Sequence, residues 1–205
     1  FGREGFIGGS YISSGQFNGR PIASMALPPG TPAWGAGWKQ GIKDWYGHSM
    51  SIGSHGSNMS YRDCYLDLDP TYRNKYGQPM LRMTFDWKPN DIRMTQFMRS
   101  KIEAIARSMN PTHWASGYKG EGAHYDVRPY QTTHNVGGAI MGTDPAHSAV
   151  NRYLQTWDVH NVFVMGSSAF PQNLQYNPTG TVGALAYWSA RAIRQDYLKN
   201  PRPLA

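Results

Sequence analysis

Only two stretches of this 205-residue chain hold a helical repeat of apolar side chains, and the segments around them are short and heavily punctuated. Met94, Met98, Ile102, Ile105 and Met109 recur at three- and four-residue steps behind Pro89-Asn90-Asp91, and Asn110-Pro111 closes the run. Asn90 is the expected cap for the free N–H groups of the first turn. Near the far end, Val182, Leu185, Ala186, Ser189 and Ile193 share one face behind Asn177-Pro178-Thr179, which reads as an N-cap with proline at the first helical position. Strand signals are brief. Leu81, Met83 and Phe85 alternate with Arg82, Thr84 and Asp86 within residues 80–87, and residues 54–62 form a second candidate. Val162-Phe163-Val164-Met165 is a continuous apolar run, expected to be a strand buried on both faces. The expectation is α helix plus short β.

Composition explains the punctuation. With 23 Gly, 14 Pro, 7 Trp, 13 Tyr and 7 Phe, the chain is turn-rich and packed with flat side chains. The first 60 or so residues show no sustained period, and Leu27-Pro28-Pro29-Gly30-Thr31-Pro32 must be extended because each proline restricts the residue before it. At 40% hydrophobic and 16% charged the sequence is not that of a disordered chain. The single cysteine, Cys64, excludes an internal disulfide and any cysteine-based metal or iron–sulfur site. No segment approaches the ~18 consecutive apolar residues of a membrane span. No basic start precedes an apolar core, and Phe1-Gly2-Arg3-Glu4-Gly5 reads as mid-chain sequence, so a fragment is expected.

Several chemistries are excluded in turn. The net charge of +7 comes from scattered Lys and Arg, so an ordinary basic surface fits better than a nucleic-acid site, despite Trp34, Trp38, Lys39, Lys43, Trp45 and Tyr46 interleaving. Gly35-Ala36-Gly37-Trp38-Lys39-Gln40-Gly41 misses the dinucleotide fingerprint by one place and follows no strand. The seven histidines lack metal-ligand spacing, so no metal site is expected. Gly166-Ser167-Ser168-Ala169-Phe170 is not a nucleophile elbow.

A longer constellation remains. His134-Asn135-Val136-Gly137-Gly138-Ala139-Ile140-Met141-Gly142 is followed by Thr143-Asp144-Pro145, the apolar run, Gly166-Ser167-Ser168-Ala169-Phe170-Pro171 and Asn177-Pro178-Thr179-Gly180-Thr181. In this order the pattern resembles the C-terminal part of the glucose–methanol–choline (GMC) flavin oxidoreductases, closely from about residue 130 to 200 and more loosely upstream. The stretch from Tyr176 to Tyr187 and the closing Pro201-Arg202-Pro203-Leu204-Ala205 narrow the likeness to the flavoprotein large subunits of gluconate, fructose and polyol dehydrogenases.

The resemblance implies an α+β fold: an antiparallel substrate-domain sheet with packed helices in residues 1–129. Residues 130–205 would then return into an FAD-binding domain with a strand and a long terminal helix, and the dinucleotide-binding half would lie outside this chain. It implies FAD as cofactor, His134 and Asn177 as catalytic residues, and Gly166, Ser167, Asn177, Pro178 and Thr179 as cofactor contacts. Gly166 stands where many members have Asp, which leaves a backbone contact and removes a side-chain one. The substrate would be a sugar, polyol or sugar acid. Cytochrome c and small subunits would be partners, and the location periplasmic and membrane-associated through them. Expressed alone, the chain would bind no FAD.

Elementary chemistry accommodates these roles. Oxidising an alcohol by hydride loss needs a base for the hydroxyl proton, and histidine titrates near neutrality. A neutral amide beside it can bond the same oxygen without competing for the proton, and a helix N-terminus favours negative charge on a reduced ring. The bland readings stay open: His134 as a structural histidine, Asn177 as a cap, Gly166-Ser167 as a tight turn. His113, His124, His147 and His160 are expected to be surface or structural. Tyr125, Arg128 and Trp114 are candidates to line a sugar site. A non-catalytic carbohydrate- or surface-binding module is the alternative, supported by the aromatic first third.

Overall fold

The computed structural model describes residues 3–16, 27–129 and 133–204. They form two compact units, Phe1–Gly56 with Lys88–Ala123, and Ser57–Trp87 with His124–Ala205. The expected domain boundary at residue 130 falls among residues 130–132, outside those described.

In the first unit, β1 (Ser10–Gln16) pairs antiparallel with β2 (Met50–Gly56), Ser10 opposite Gly56 and Gln16 opposite Met50. The second strand lies earlier than the 54–62 expected from sequence. Between them runs α1 (Gly35–Trp45), a helix that residue periodicity did not reveal because it buries none of its own side chains. Its glycines permit close packing instead. A Cβ on Gly37 would stand 2.8 Å from Pro32, and one on Gly41 2.7 Å from Thr31. The near-fingerprint glycines thus seat the proline-rich run against the helix.

The methionine-rich helix, α2 (Pro89–Ser108), forms as expected and packs on β2. Its core face is shorter than the periodicity predicts: Ile92, Met94 and Met98 are buried, whereas Ile105 and Met109 are exposed. Asn90 does not cap it. The Asn90 amide instead bonds both backbone groups of Ile7, at 2.8 and 2.9 Å, while Asp91 reaches back to the Lys88 N–H. The helix ends with Asn110 at a left-handed φ of 49°, a conformation asparagine tolerates, just before Pro111.

In the second unit, β3 (Tyr65–Arg73) and β4 (Pro79–Thr84) form an antiparallel hairpin with Asp67 paired to Arg82 across it. The antiparallel ladders and helices bear out the α+β class. The helix α3 (Thr179–Gln195) covers a core of Val150, Leu154 and Ala169, into which Met141, Val164 and Leu185 pack. A second cluster joins Ala192, Tyr197 and Leu204 with Tyr153 and Phe163. The run 162–165 corrects the sequence reading. It makes one bridge, Gln155 to Phe163, rather than a strand, and Val162 and Met165 are 44% and 43% exposed. A strand buried on both faces needs a layer packed on each, and here the side chains of Val162 and Met165 stay half in solvent.

Among the described residues no helix is long and apolar enough to cross a membrane.

Candidate active site

The segment carrying His134 cannot pair as a strand, because Gly137 and Gly138 both take left-handed φ, 85° and 94°. It is fixed by stepwise hydrogen bonds to the turn after the apolar run. The amides of Gly137, Ala139 and Met141 donate to the carbonyls of Ser167, Ser168 and Ala169 at 3.2, 3.1 and 2.8 Å. Gly138 also lets the hairpin approach: a Cβ there would sit 2.7 Å from Leu66 Cδ1.

That turn begins at Gly166, whose φ of 143° is a conformation essentially reserved for glycine. An aspartate held at this φ would be strained. One tight turn, Ser167–Ala169, follows and delivers buried Phe170. The Ser167 hydroxyl donates to the Asn135 carbonyl at 2.9 Å. The carbonyl of His134 itself accepts from Asn173 Nδ2 at 3.2 Å. Both peptide oxygens at and after His134 are therefore held by side chains from residues 167–173.

Downstream, Gln175 adopts a left-handed φ of 56° and turns the chain into Tyr176 and Asn177. Pro178 already has helical dihedrals ahead of α3, as a proline at the first helical position should. The expected cap is missing. The cap position falls on Pro178, which has no polar side chain to offer the first turn, and the exposed Asn177 stands one residue before it. The first turn of α3 carries no acidic residue, leaving the positive end of its dipole uncompensated from within. Asn177 and Pro178 border a hollow of about 100 Å³ with Val136, Phe170, Asn173 and Tyr176.

Of the residues singled out from sequence, Asn177 and Pro178 meet directly at this hollow. His134 is two residues from Val136 and bonded to Asn173, both of which line it. Thr179 opens α3, and Gly166 and Ser167 carry the turn that places Phe170. Asn173 was missed. It belongs to no periodic element, and only its tertiary bonds reveal it.

The other histidines have local partners: His113 stacks edge-on to Trp45, His147 pairs with Asp144 at 2.7 Å and His160 meets the Tyr197 hydroxyl at 3.0 Å. His124 Nδ1 lies 2.6 Å from Asp86, and this contact, with the Tyr125 and Trp87 amides, holds the Asp86 carboxyl down to about 2. The residues considered for a sugar site are engaged separately. Tyr125 packs with Phe85 and Trp87, Arg128 pairs with Asp126, and Trp114 lies under Arg107.

The chain is 59% identical over 203 residues, 99% of its length, to the gluconate 2-dehydrogenase flavoprotein of Pantoea cypripedii. It is 27% identical over 89% of its length to 2-methyl-1,2-propanediol dehydrogenase of Mycolicibacterium austroafricanum. The fructose dehydrogenase large subunit of Gluconobacter japonicus matches 64% of it at 29% identity. The chain spans 33%, 32% and 22% of the lengths of these relatives. The GMC oxidoreductase family model matches residues 60–186, a stretch that holds His134, the Gly166 turn, Asn173 and Asn177. The chain belongs to the GMC oxidoreductases, FAD-dependent flavoproteins that oxidise alcohol groups.

Proposed function

We propose that this chain supplies the proton-accepting histidine and one wall of the flavin site in a dehydrogenase acting on an alcohol group of a gluconate-like sugar acid, with sugars and polyols as the wider class. The observation that carries the reading is the link from His134 through Asn173 to the Asn177 turn at the start of α3. The residues present suit one edge of a planar ring. A hollow of about 100 Å³ is too small for a whole cofactor, but it opens beside the exposed Asn177 amide and a helix N-terminus with no acidic first-turn residue. Residues 130–205 are the flavin-facing part and residues 1–129 mostly substrate domain.

FAD, when bound, would supply the acceptor for the hydride released from the substrate carbon. His134 takes the hydroxyl proton as the C–O bond gains double-bond character, and the Asn177 amide donates to the same oxygen. Pro178 and Thr179 at the helix start, with the Gly166-Ser167 backbone, hold the cofactor's edge. The Ser167 hydroxyl already serves Asn135 and its carbonyl accepts from the Gly137 amide, so the Ser167 N–H is the group left for that contact. The matched stretch aligns with relatives named for gluconate, fructose and a propanediol, so it carries the shared chemistry, and substrate choice resides in residues that differ between them. The name of the fructose dehydrogenase large subunit supports a protein that works within a multi-subunit assembly. A cytochrome c subunit would take the electrons, and a periplasmic, membrane-associated site would follow from that partner.

In the intact protein, His134→Ala slows flavin reduction by ~100-fold or more in rapid mixing with gluconate, at unchanged flavin content. Asn177→Asp slows it by ~10-fold or more, because an ionised carboxylate offers no N–H to the substrate oxygen. Reduction within threefold of the parent for His134→Ala removes the histidine from the base's role. A colourless intact protein would favour the binding-module alternative.

A further inference from the structure

We propose that Asn173 is the positioning residue that sets His134 against Asn177, an inference that rests on His134 being the base. Both ends of one amide are used. Asn173 Nδ2 donates to the His134 carbonyl at 3.2 Å, and Asn173 Oδ1 accepts from the Gln175 N–H at 3.1 Å. The first bond fixes the backbone from which the His134 ring projects. The second closes the turn at Gln175, whose left-handed backbone aims Tyr176 and Asn177 at the hollow. Aspartate or leucine of the same shape cannot do both, since an ionised carboxylate has no donor and an isobutyl group has neither donor nor acceptor.

The amide is presented from a fixed base. Residue 173 bridges antiparallel to Asn58, and the Ser60 hydroxyl donates to the carbonyl of Pro171. Asn173 is therefore tied to a segment more than a hundred residues earlier in the chain, while its side chain points to the two turns it joins. Ser167 assists by holding the next carbonyl, that of Asn135, at 2.9 Å. With two consecutive carbonyls held, the His134 peptide cannot rotate without breaking a side-chain bond. The glycines at 137 and 138 lend the segment no intrinsic stiffness, so these side-chain bonds extend toward His134 the hold that the main-chain bonds exert from Gly137 onward. Reactions by proton and hydride transfer are sensitive to such placement, and an error near 1 Å costs on the order of 100-fold.

The test uses the intact flavoprotein with Asn173→Ala and Asn173→Asp, the second keeping an acceptor for Gln175 while losing the donor to His134. Two readouts are needed. Hydrogen exchange across residues 134–141, measured with and without flavin, is expected to quicken by ~10-fold or more in both variants. Flavin reduction at saturating gluconate is expected to slow by ~10-fold or more, with the concentration for half-saturation changed less than threefold. In the His134→Ala background, adding Asn173→Ala is expected to cost less than threefold further, because a brace acts through the residue it braces. Unchanged exchange, a loss confined to half-saturation, or multiplying losses in the double variant each overturn the proposal. If His134→Ala alone reduces flavin normally, the base assignment fails, and the exchange measurement alone then decides whether Asn173 holds the segment.

Discussion

Replacing Gln155 with methionine should release the chain's final residues from α3's end of the second unit. Gln155 is 1% exposed and its amide is fully used. Nε2 donates to the carbonyls of His160 at 2.6 Å and Arg202 at 3.0 Å, and Oε1 accepts from the Leu204 N–H at 2.6 Å. Methionine of similar volume keeps the packing and removes these three bonds together with a longer fourth, 3.3 Å, from Asn151 Nδ2. If the tail stayed docked, the buried Leu204 N–H would lie unpaired at about 1–3 kcal/mol, and the half-buried carbonyls of His160 and Arg202 would each lose a bond of about 1 kcal/mol. If the tail let go, Arg202 and Leu204 would regain water. The cost would then be the burial of Leu204, about 1.5–3 kcal/mol, and the 2.7 Å bond from Asn151 Nδ2 to its carbonyl, about 1 kcal/mol.

Release is the cheaper route, so the damage is local. Protection of the Leu204 amide against hydrogen exchange should fall by ~100-fold or more, equivalent to about 2.7 kcal/mol. Residues 141–156 and the first turns of α3 should keep theirs, because Asn151 Oδ1 still accepts from the backbone of Tyr153 and residue 155. Mass spectrometry of the peptide covering residues 197–204 reads this directly. A loss under 10-fold, or equal loosening along α3, would refute the reasoning that the amide is the latch.

Ser189 is fully buried on α3 and its hydroxyl finds no partner, so Ser189→Ala should raise stability by about 1–2 kcal/mol, seen as a higher thermal midpoint; a lower one would contradict the account. Asp86, held at about 2 chiefly by His124, stabilises the fold above its ordinary 3.8 and loses that contribution as pH falls through about 2. His124→Ala should move the loss up toward pH 3.8, so acid unfolding followed by circular dichroism starts at higher pH; superimposable curves would deny the pair any role.

The two long helices were legible because each satisfies its own backbone and advertises its buried face by repeat. The methionine face of α2 was over-read at its C-terminal end, since periodicity marks which residues point one way and not how far the partner β2 extends. α1 was invisible for the opposite reason: with no buried side chain it leaves no apolar period, and its contacts are made by glycines. The site was legible as order and spacing, His134 before two glycines and Asn177 before proline. Its geometry was not. Asn90 and Asn177 both occupy good cap positions in sequence, yet one bonds Ile7 and the other caps nothing.

Asn90 shares a cause with Asn151, Gln155 and Asn173. A region dense in glycine and proline cannot form ladders, but its backbone N–H and C=O groups still need partners when they leave water. An amide side chain has the same donor and acceptor groups as a peptide unit, held apart on one plane, so it can stand in for a missing strand. Asn90 pairs with both backbone groups of Ile7, Asn151 and Gln155 with both of Leu204, and Asn173 with one from each of two turns. In sequence these residues look like caps and loop polars. What distinguishes them is the distant backbone they meet, up to 83 residues away for Asn90, and that choice is made by the tertiary fold rather than by any neighbour in the chain.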